Sequence, residues 1–299
     1  MKTREQLIDD LLTLAFAEDV GDGDATTLST IPATEMGKQQ LIIKEEGILA
    51  GVEIAKIVFA KFDSSLKMTV FINDGAHVKP GDVAFVVEGP VRSLLQTERV
   101  MLNIMQRMSG VATMTNKSQS RLEGLHTKVL DTRKTTPGMR LLEKEAVKIG
   151  GGSNHRIGLF DMILIKDNHV DFAGGIPQAV SAAKTWCKEN GKNLQIELEV
   201  RNEDEINQAL EAGVDRIMLD NFTPERTKNA VAQIRAYEAT PEALANDSHK
   251  HSGKDMEIES SGGITIDTLR TYGECGVDFI SVGALTHSVR GLDMSFKAC

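Results

Sequence analysis

The residues best suited to chemistry lie between Asp131 and Val170, where a chain of net charge −9 turns locally cationic. Arg133, Lys134, Arg140, Lys144, Lys148, Arg156 and Lys166 outnumber Asp131, Glu143, Glu145, Asp161 and Asp167, and His155 and His169 stand among them. Cations gathered in one stretch of an acidic protein suit a small anionic ligand better than a nucleic-acid backbone. The glycine triplet Gly150-Gly151-Gly152 allows a helix stop followed by a close-approach loop, which delivers His155 and Arg156. Ser261-Gly262-Gly263 and Gly283-Ala284 are further glycine segments whose free backbone N–H groups suit phosphate. Glu197 and Glu199 alternate with Ile196, Leu198 and Val200, so both carboxylates share one strand face. If that face is interior, Lys166 and the Arg133-Lys134 pair are the natural counter-ions, and a bound metal is another.

Those residues need strands to hold them. After Lys128 the chain alternates β-type runs at 128–130, 162–165, 196–200, 216–219, 256–259 and 279–282 with helical stretches near 139–149, 176–190, 203–212, 224–238 and 265–274. Repeated βα units predict a parallel sheet, and six strands with glycine segments on the last two predict an α/β barrel, incomplete, with fewer than eight strands. An open doubly wound sheet is the alternative, weakened because no G-x-G-x-x-G follows the first strand. Each strand ends in polar or glycine residues, from Asp131 and Arg133 through Lys166, Glu199, Asp220 and Ser261 to Gly283, which is where a barrel carries its site.

Ahead of the barrel, residues 4–18 carry apolar Leu7, Leu11, Leu14 and Ala15 at helical spacing, and short β-rich runs between Gly37 and Val91 predict an N-terminal α+β domain. A long helix over 94–118, with a Met-rich apolar face, connects the two, giving domains of 1–115 and 116–299. The polar stretch 238–255, containing His249 and His251, reads as a surface loop, with metal binding by the two histidines the minor alternative.

Composition narrows the function classes. At 299 residues, 41% hydrophobic and 26% charged, the chain is ordinary globular material. No apolar run approaches the roughly 20 residues of a bilayer crossing, and the dispersed Cys187, Cys275 and Cys299 lack disulfide or zinc spacing, so a cytoplasmic protein with reduced thiols is expected. Aromatic residues are 4% of the chain, too few for base-stacking platforms, so neither nucleic acid nor membrane is an expected partner.

Taken in order, Asp131 to Gly138, Gly151 to Arg156, Lys166-Asp167-Asn168-His169, Glu197 to Val200, Leu219 to Phe222, Ser261 to Ile264 and Gly283 to His287 resemble the successive motifs of the quinolinate phosphoribosyltransferase family. Glu18 to Thr27 and the segment from Glu98 to Gly110 are similar to that family as well. The resemblance implies a decarboxylating transfer in NAD biosynthesis, from phosphoribosyl pyrophosphate (PRPP) to quinolinate, with Mg²⁺ on PRPP. It implies that Arg99, Arg133, His155, Arg156 and Lys166 surround the quinolinate dianion and that Lys134 lies near both substrates. Glu199 and Asp220 would hold the ribose hydroxyls and Mg²⁺, while Ser261, Gly262, Gly263 and Gly283 would cradle the 5′-phosphate. Lys134, Lys166, Glu199 and Asp220 are then the catalytic group. A homodimer with sites shared between subunits is also implied, with Arg99 serving the other copy. Read without the resemblance, the same residues leave two alternatives open: a Schiff-base aldolase using Lys166, and a binding protein for anionic pyridines that lacks turnover.

Overall fold

A computed structural model describes residues 2–240 and 256–299, arranged as two compact units that are each discontinuous in sequence. Of the described residues, the first comprises 2–117, 134–152 and 284–299, and the second 118–133, 153–240 and 256–283. The stretch 241–255, including His249 and His251, lies outside the described residues.

In the first unit, α1 (Arg4–Asp19) starts at Thr3, whose side chain and that of Gln6 form a reciprocal capping box. Its buried face is Ile8 and Leu12, four residues apart, whereas Leu7 and Leu14 are exposed. Of the four apolar positions read from the sequence, Leu11 and Ala15 pack against the core while Leu7 and Leu14 face outward, so the inward stripe is centred on Ile8 and Leu12. The short α2 (Ala25–Thr30) follows, capped by Asp24. The strands β1 (Met36–Ile43), β2 (Gly47–Ile48), β3 (Lys67–Val70), β4 (His77–Val78) and β5 (Val83–Pro90) enclose α3 (Val52–Phe62) in sequence. The main sheet is antiparallel in the order β12-β1-β5-β3, and β12 (Met294–Ala298) brings the C-terminal segment back to the N-terminal sheet. Phe59, Phe85 and Phe296 meet at centroid separations of 5.9–6.2 Å in its core, with α4 (Val91–Ser120) contributing Met101, Met105 and Met108. The Met-rich stripe is therefore packing. The amphipathic helix α5 (Arg140–Ile149) adds Leu142, Ala146 and Val147 to the same core.

The second unit is a six-stranded parallel sheet. Its strands are β6 (Lys128–Leu130), β7 (Ile163–Ile165), β8 (Ile196–Val200), β9 (Arg216–Asp220), β10 (Glu257–Ser261) and β11 (Phe279–Ser281), each within two residues of its sequence-predicted bounds. The order β6-β11-β10-β9-β8-β7 is a cyclic order cut once, between β6 and β7. A doubly wound sheet would reverse direction at a switch point, and this one does not. The six strands are fewer than eight, as expected, and among the described residues no ladder joins β6 to β7, so the barrel is also not closed. In place of a neighbouring strand, Ser153 bridges Leu130, its N–H donating to the Val129 carbonyl at 2.9 Å. The connecting helices are α6 (Asp167–Ala173), α7 (Ile176–Glu189), α8 (Glu203–Ala212) and α9 (Pro224–Glu238), with a short helix at Leu269–Gly273. The short α6, which opens directly after Lys166, was hidden by its seven-residue length.

Candidate active site

Strand register sorts the interior face of the second sheet into layers. Glu197 pairs with Arg216 and Arg216 with Glu257; one step along, Glu199 pairs with Met218 and Met218 with Glu259; beyond them Asp220 pairs with Ser261. Paired residues of parallel strands point to the same side, so Glu197, Glu199, Arg216, Glu259 and Asp220 share a face. Burial agrees with an interior face: Glu197 and Glu259 are fully buried, Glu199 is 9% exposed and Arg216 6% exposed.

The upper part of this face, with the loops that follow its strands, holds Lys166, Glu199, Asp220, Gly262 and Gly263 of the predicted groups. Lys166 follows β7 and forms an ion pair with Glu199 through Nζ and Oε2, which is one of the two counter-ion expectations realised. Asp220 ends β9, where Asn221 Nδ2 donates to its Oδ2 at 2.8 Å. Gly262 and Gly263 follow β10 with φ of +98° and +62°, a pair of successive left-handed residues that turns the chain sharply at the strand end. A Cβ on Gly262 would stand 2.2 Å from Asn221 Oδ1, so only glycine fits there.

Arg156 and Arg133 lie close enough to repel. The Arg156 guanidinium is pushed below its ordinary range by burial first and by the Arg133 charge second, with Glu197 and Asp161 acting in the opposite sense. Two guanidiniums whose charges repel near the end of one sheet are stabilised by a nearby anion. Arg156 is held by its Nη1 bond to the Met162 carbonyl at 3.3 Å, and Arg133 is exposed beyond β6.

His155 is placed differently from the exposed cations. The buried Asp131 carboxylate accepts the His155 N–H at 2.9 Å and Asn154 Nδ2 at 2.5 Å, which fixes the segment leaving the glycine triplet. Arg156 N–H donates to His155 Nδ1 at 2.7 Å, so the ring proton belongs on Nε2, which faces Glu197 Oε2 at 2.9 Å and Glu259 Oε2 at 3.6 Å. Arg216 completes this lower layer, reaching Glu257 at 2.6 Å and Glu259 at 3.3 Å and stacking 4.5 Å from the Phe279 centroid. Burial pushes Glu197 up to about 7 and, with help from the Glu197 charge, Glu259 up to about 8. His155, Glu197 and Glu259 have donor atoms clustered as a metal site would, but Arg216 already shares the Glu259 oxygen that faces the imidazole. Glu197 thus takes Arg216 and His155 as neighbours, and Arg216 and Glu259 are the interior charges that sequence reasoning missed. The signal was present in the second Glu-x-Glu, Glu257 and Glu259, which repeats the 197/199 spacing on another strand.

Arg99 and Lys134 belong to the first unit, so the second does not by itself contain every predicted residue. Arg99 is exposed on α4. Lys134 opens a loop whose backbone is anchored: Thr286 Oγ1 donates to the Lys134 carbonyl at 2.8 Å, and Thr136 N–H donates to Glu143 Oε2 at 3.1 Å. Glu143, fully buried, also accepts Arg107 Nε at 2.9 Å and Nη2 at 2.8 Å, and Arg107 caps the Val289 and Thr286 carbonyls. Gly283 stands directly before the short helix Ala284–His287.

Comparison with known proteins gives the family. Residues 24–109 match the family described as quinolinate phosphoribosyl transferase, N-terminal domain, and residues 111–297 match its C-terminal domain. The chain belongs to the quinolinate phosphoribosyltransferase family. It is 42% identical over 295 residues to quinolinate phosphoribosyltransferase [decarboxylating] 1b of Nicotiana tabacum, covering 96% of this chain and 81% of the relative. It is 40% identical over 285 residues to the probable nicotinate-nucleotide pyrophosphorylase [carboxylating] of Bacillus subtilis (strain 168), covering 95% and 91%. The solved nicotinate-nucleotide pyrophosphorylase of Francisella tularensis superposes with a TM-score of 0.88 at 38% identity, over 100% of this chain and 98% of that one. The incomplete barrel with its separate antiparallel N-terminal sheet is thus the family fold.

Proposed function

We infer that the chain transfers the phosphoribosyl group of PRPP to quinolinate, releasing pyrophosphate and carbon dioxide and leaving nicotinate mononucleotide for NAD biosynthesis. The observation that carries the reading is the placement of Arg133, Arg156 and Lys166 just past the strand ends of one sheet, with Lys166 paired to Glu199 and the Arg133 charge felt at Arg156. A pyridine with two carboxylates matches such a set, each charge-assisted bond contributing roughly 1.5–3 kcal/mol. The ring nitrogen's lone pair forms the bond to the ribose carbon as that carbon's bond to pyrophosphate breaks. The adjacent carboxylate then leaves as carbon dioxide, and the electron pair left on the ring carbon takes a proton. No side-chain nucleophile is needed; the protein orients the partners and balances their charge.

Arg133, Arg156 and Lys166 bind the carboxylates in this reading, with His155 behind Arg156 and with Lys134 and Arg99 supplying further positive charge. Ser261, Gly262, Gly263 and Gly283 hold the 5′-phosphate. Glu199 and Asp220 fit Mg²⁺ with PRPP, since two carboxylates on one face are the sparse oxygen set that this ion takes together with substrate phosphates. When bound, Mg²⁺ supplies charge neutralisation on the pyrophosphate. Glu199 also orients Lys166, and Asp220 presents its remaining oxygen toward the ribose hydroxyls.

Incubation with quinolinate, PRPP and Mg²⁺ should release nucleotide and pyrophosphate in equal amounts, and nicotinate in place of quinolinate should give neither. Binding without pyrophosphate release would favour a sensor, and borohydride trapping of a carbonyl substrate on Lys166 would favour an aldolase.

Among the described residues no helix is long and apolar enough to cross a membrane. A cytoplasmic setting is part of the same proposal, and so is a homodimer in which Arg99 of one copy serves the other's site. The dimer is supported by Ile157, Leu159, Phe160 and Phe172, exposed by 47%, 71%, 48% and 93% on the stretch that carries Lys166. Mixing Arg99→Ala and Lys166→Ala chains should restore one intact site per pair; no recovered activity would exclude shared sites.

A further inference from the structure

We propose that Asn221 is a positioning residue, which fixes the Asp220 carboxylate and the Ser261-Gly262 turn in one arrangement. Among the described residues, Asn221 alone of the non-glycines has a positive φ, +56°. A strained conformation persists where its surroundings over-determine it, and three independent contacts do so here. Asn221 N–H donates to the Ser261 carbonyl at 2.9 Å, extending the β9–β10 ladder one residue past Asp220. Its Nδ2 donates to Asp220 Oδ2 at 2.8 Å. Its Oδ1 lies against Gly262, where an added Cβ would come within 2.2 Å.

Each contact has a consequence for the site. The left-handed backbone turns the side chain of Asn221 back along the strand end, so that its amide lies between the carboxylate of Asp220 and the first glycine of the turn. With Oδ2 accepting from the amide, the Asp220 carboxyl is biased toward the rotamer that makes this bond, which leaves Oδ1 outside it. The amide also fills the space that a side chain at position 262 would need, which couples the carboxylate on β9 to the glycine pair following β10. Asparagine meets both demands, because among residues with a side chain it tolerates left-handed backbone and it carries a donor and an acceptor on one short stem.

This inference deepens the PRPP-binding reading and rests on it for its kinetic consequences. Asn221→Gly keeps the backbone freedom and removes the amide, whereas Asn221→Ala removes both and Asn221→Asp replaces the donor with a second negative charge beside Asp220. Expected for Asn221→Gly is a melting temperature close to wild type, unchanged quinolinate affinity by calorimetry, and at least a tenfold weaker affinity for PRPP with Mg²⁺, measured without quinolinate. Asn221→Asp should be weaker still. Wild-type PRPP affinity in Asn221→Gly, or in Asn221→Asp, would overturn the proposal. Crystals of wild type and Asn221→Gly give a readout that no substrate enters: Asp220 should occupy one rotamer in the first and several in the second. A single, unmoved Asp220 in both would refute the positioning role even if the wild-type chain proved not to use PRPP, and that failure of turnover would count against the function separately.

Discussion

Replacing Glu259 with glutamine should flatten the pH dependence of stability. The Glu259 carboxyl is fully buried, and burial, followed by the charge of Glu197, pushes it up to about 8 from an ordinary 4.5, against the opposing pull of His155 and Arg216. The folded chain therefore keeps a proton that the unfolded chain has released. The stability this contributes is complete below pH 4.5 and is lost as pH rises through about 8. At about 1.36 kcal/mol per pH unit, the loss across this window is on the order of a few kcal/mol, and part of it belongs to Glu197, which shares the same proton. The amide introduced by Glu259→Gln does not ionise, yet its oxygen still accepts from Arg216, which stands 3.3 Å from the present carboxylate. Urea unfolding of both proteins at intervals from pH 5 to 8.5 is the assay. Wild type should lose several kcal/mol across that range, and the variant about 2 kcal/mol or more less than wild type does. Parallel curves would mean that Glu259 does not hold the proton, and the assignment of the raised carboxyl to it would be wrong.

Two further outcomes follow from the upper layer and from the loop anchor. Lys166→Ala removes the ion-pair partner of Glu199 and one cation of the quinolinate set, so kcat/KM for quinolinate should fall about 10- to 100-fold or more, as loss of a charge-assisted bond worth roughly 1.5–3 kcal/mol requires; unchanged steady-state kinetics would remove Lys166 from the site. Arg107→Ala leaves the fully buried Glu143 without its guanidinium and should lower stability by about 3–5 kcal/mol in denaturant unfolding, whereas a loss under about 1 kcal/mol would show that the pair does not anchor the Lys134 loop.

Much of this was legible because period and strand ends carry strong signals. The run at 196–200 alternates apolar and charged residues and the run at 216–219 is apolar after Arg216, both flanked by helical spacing, and their bounds changed little. The cyclic strand order was inferable from repeated βα units, and Lys166 with Glu199 from alternation and strand-end placement. What local pattern could not supply was the return of the C-terminal strand to β1, since pairing between Phe296 and Leu41 joins positions far apart in the chain. Nor could it say that 134–152 and 284–299 pack with the first unit, because Leu142 and Phe296 look like any other apolar residues until their neighbours are known. The inward face of α1 fell to Ile8 and Leu12 for the same reason. Arg216 opens its strand with no local mark of a buried role, although a cation there is what the Glu257 and Glu259 carboxylates on the adjacent strand demand. Asn221 stood inside a recognised motif, but its left-handed backbone has no sequence mark beyond being asparagine.

The most direct measurement of the central claim is calorimetric titration of the wild-type protein with quinolinate and with nicotinate, without PRPP, at fixed ionic strength. Cations at one sheet end that read two carboxylates predict that quinolinate binds at least tenfold more tightly and that Arg156→Ala removes most of the difference. Equal affinities for the two acids, or a difference that survives the loss of Arg156, would contradict it.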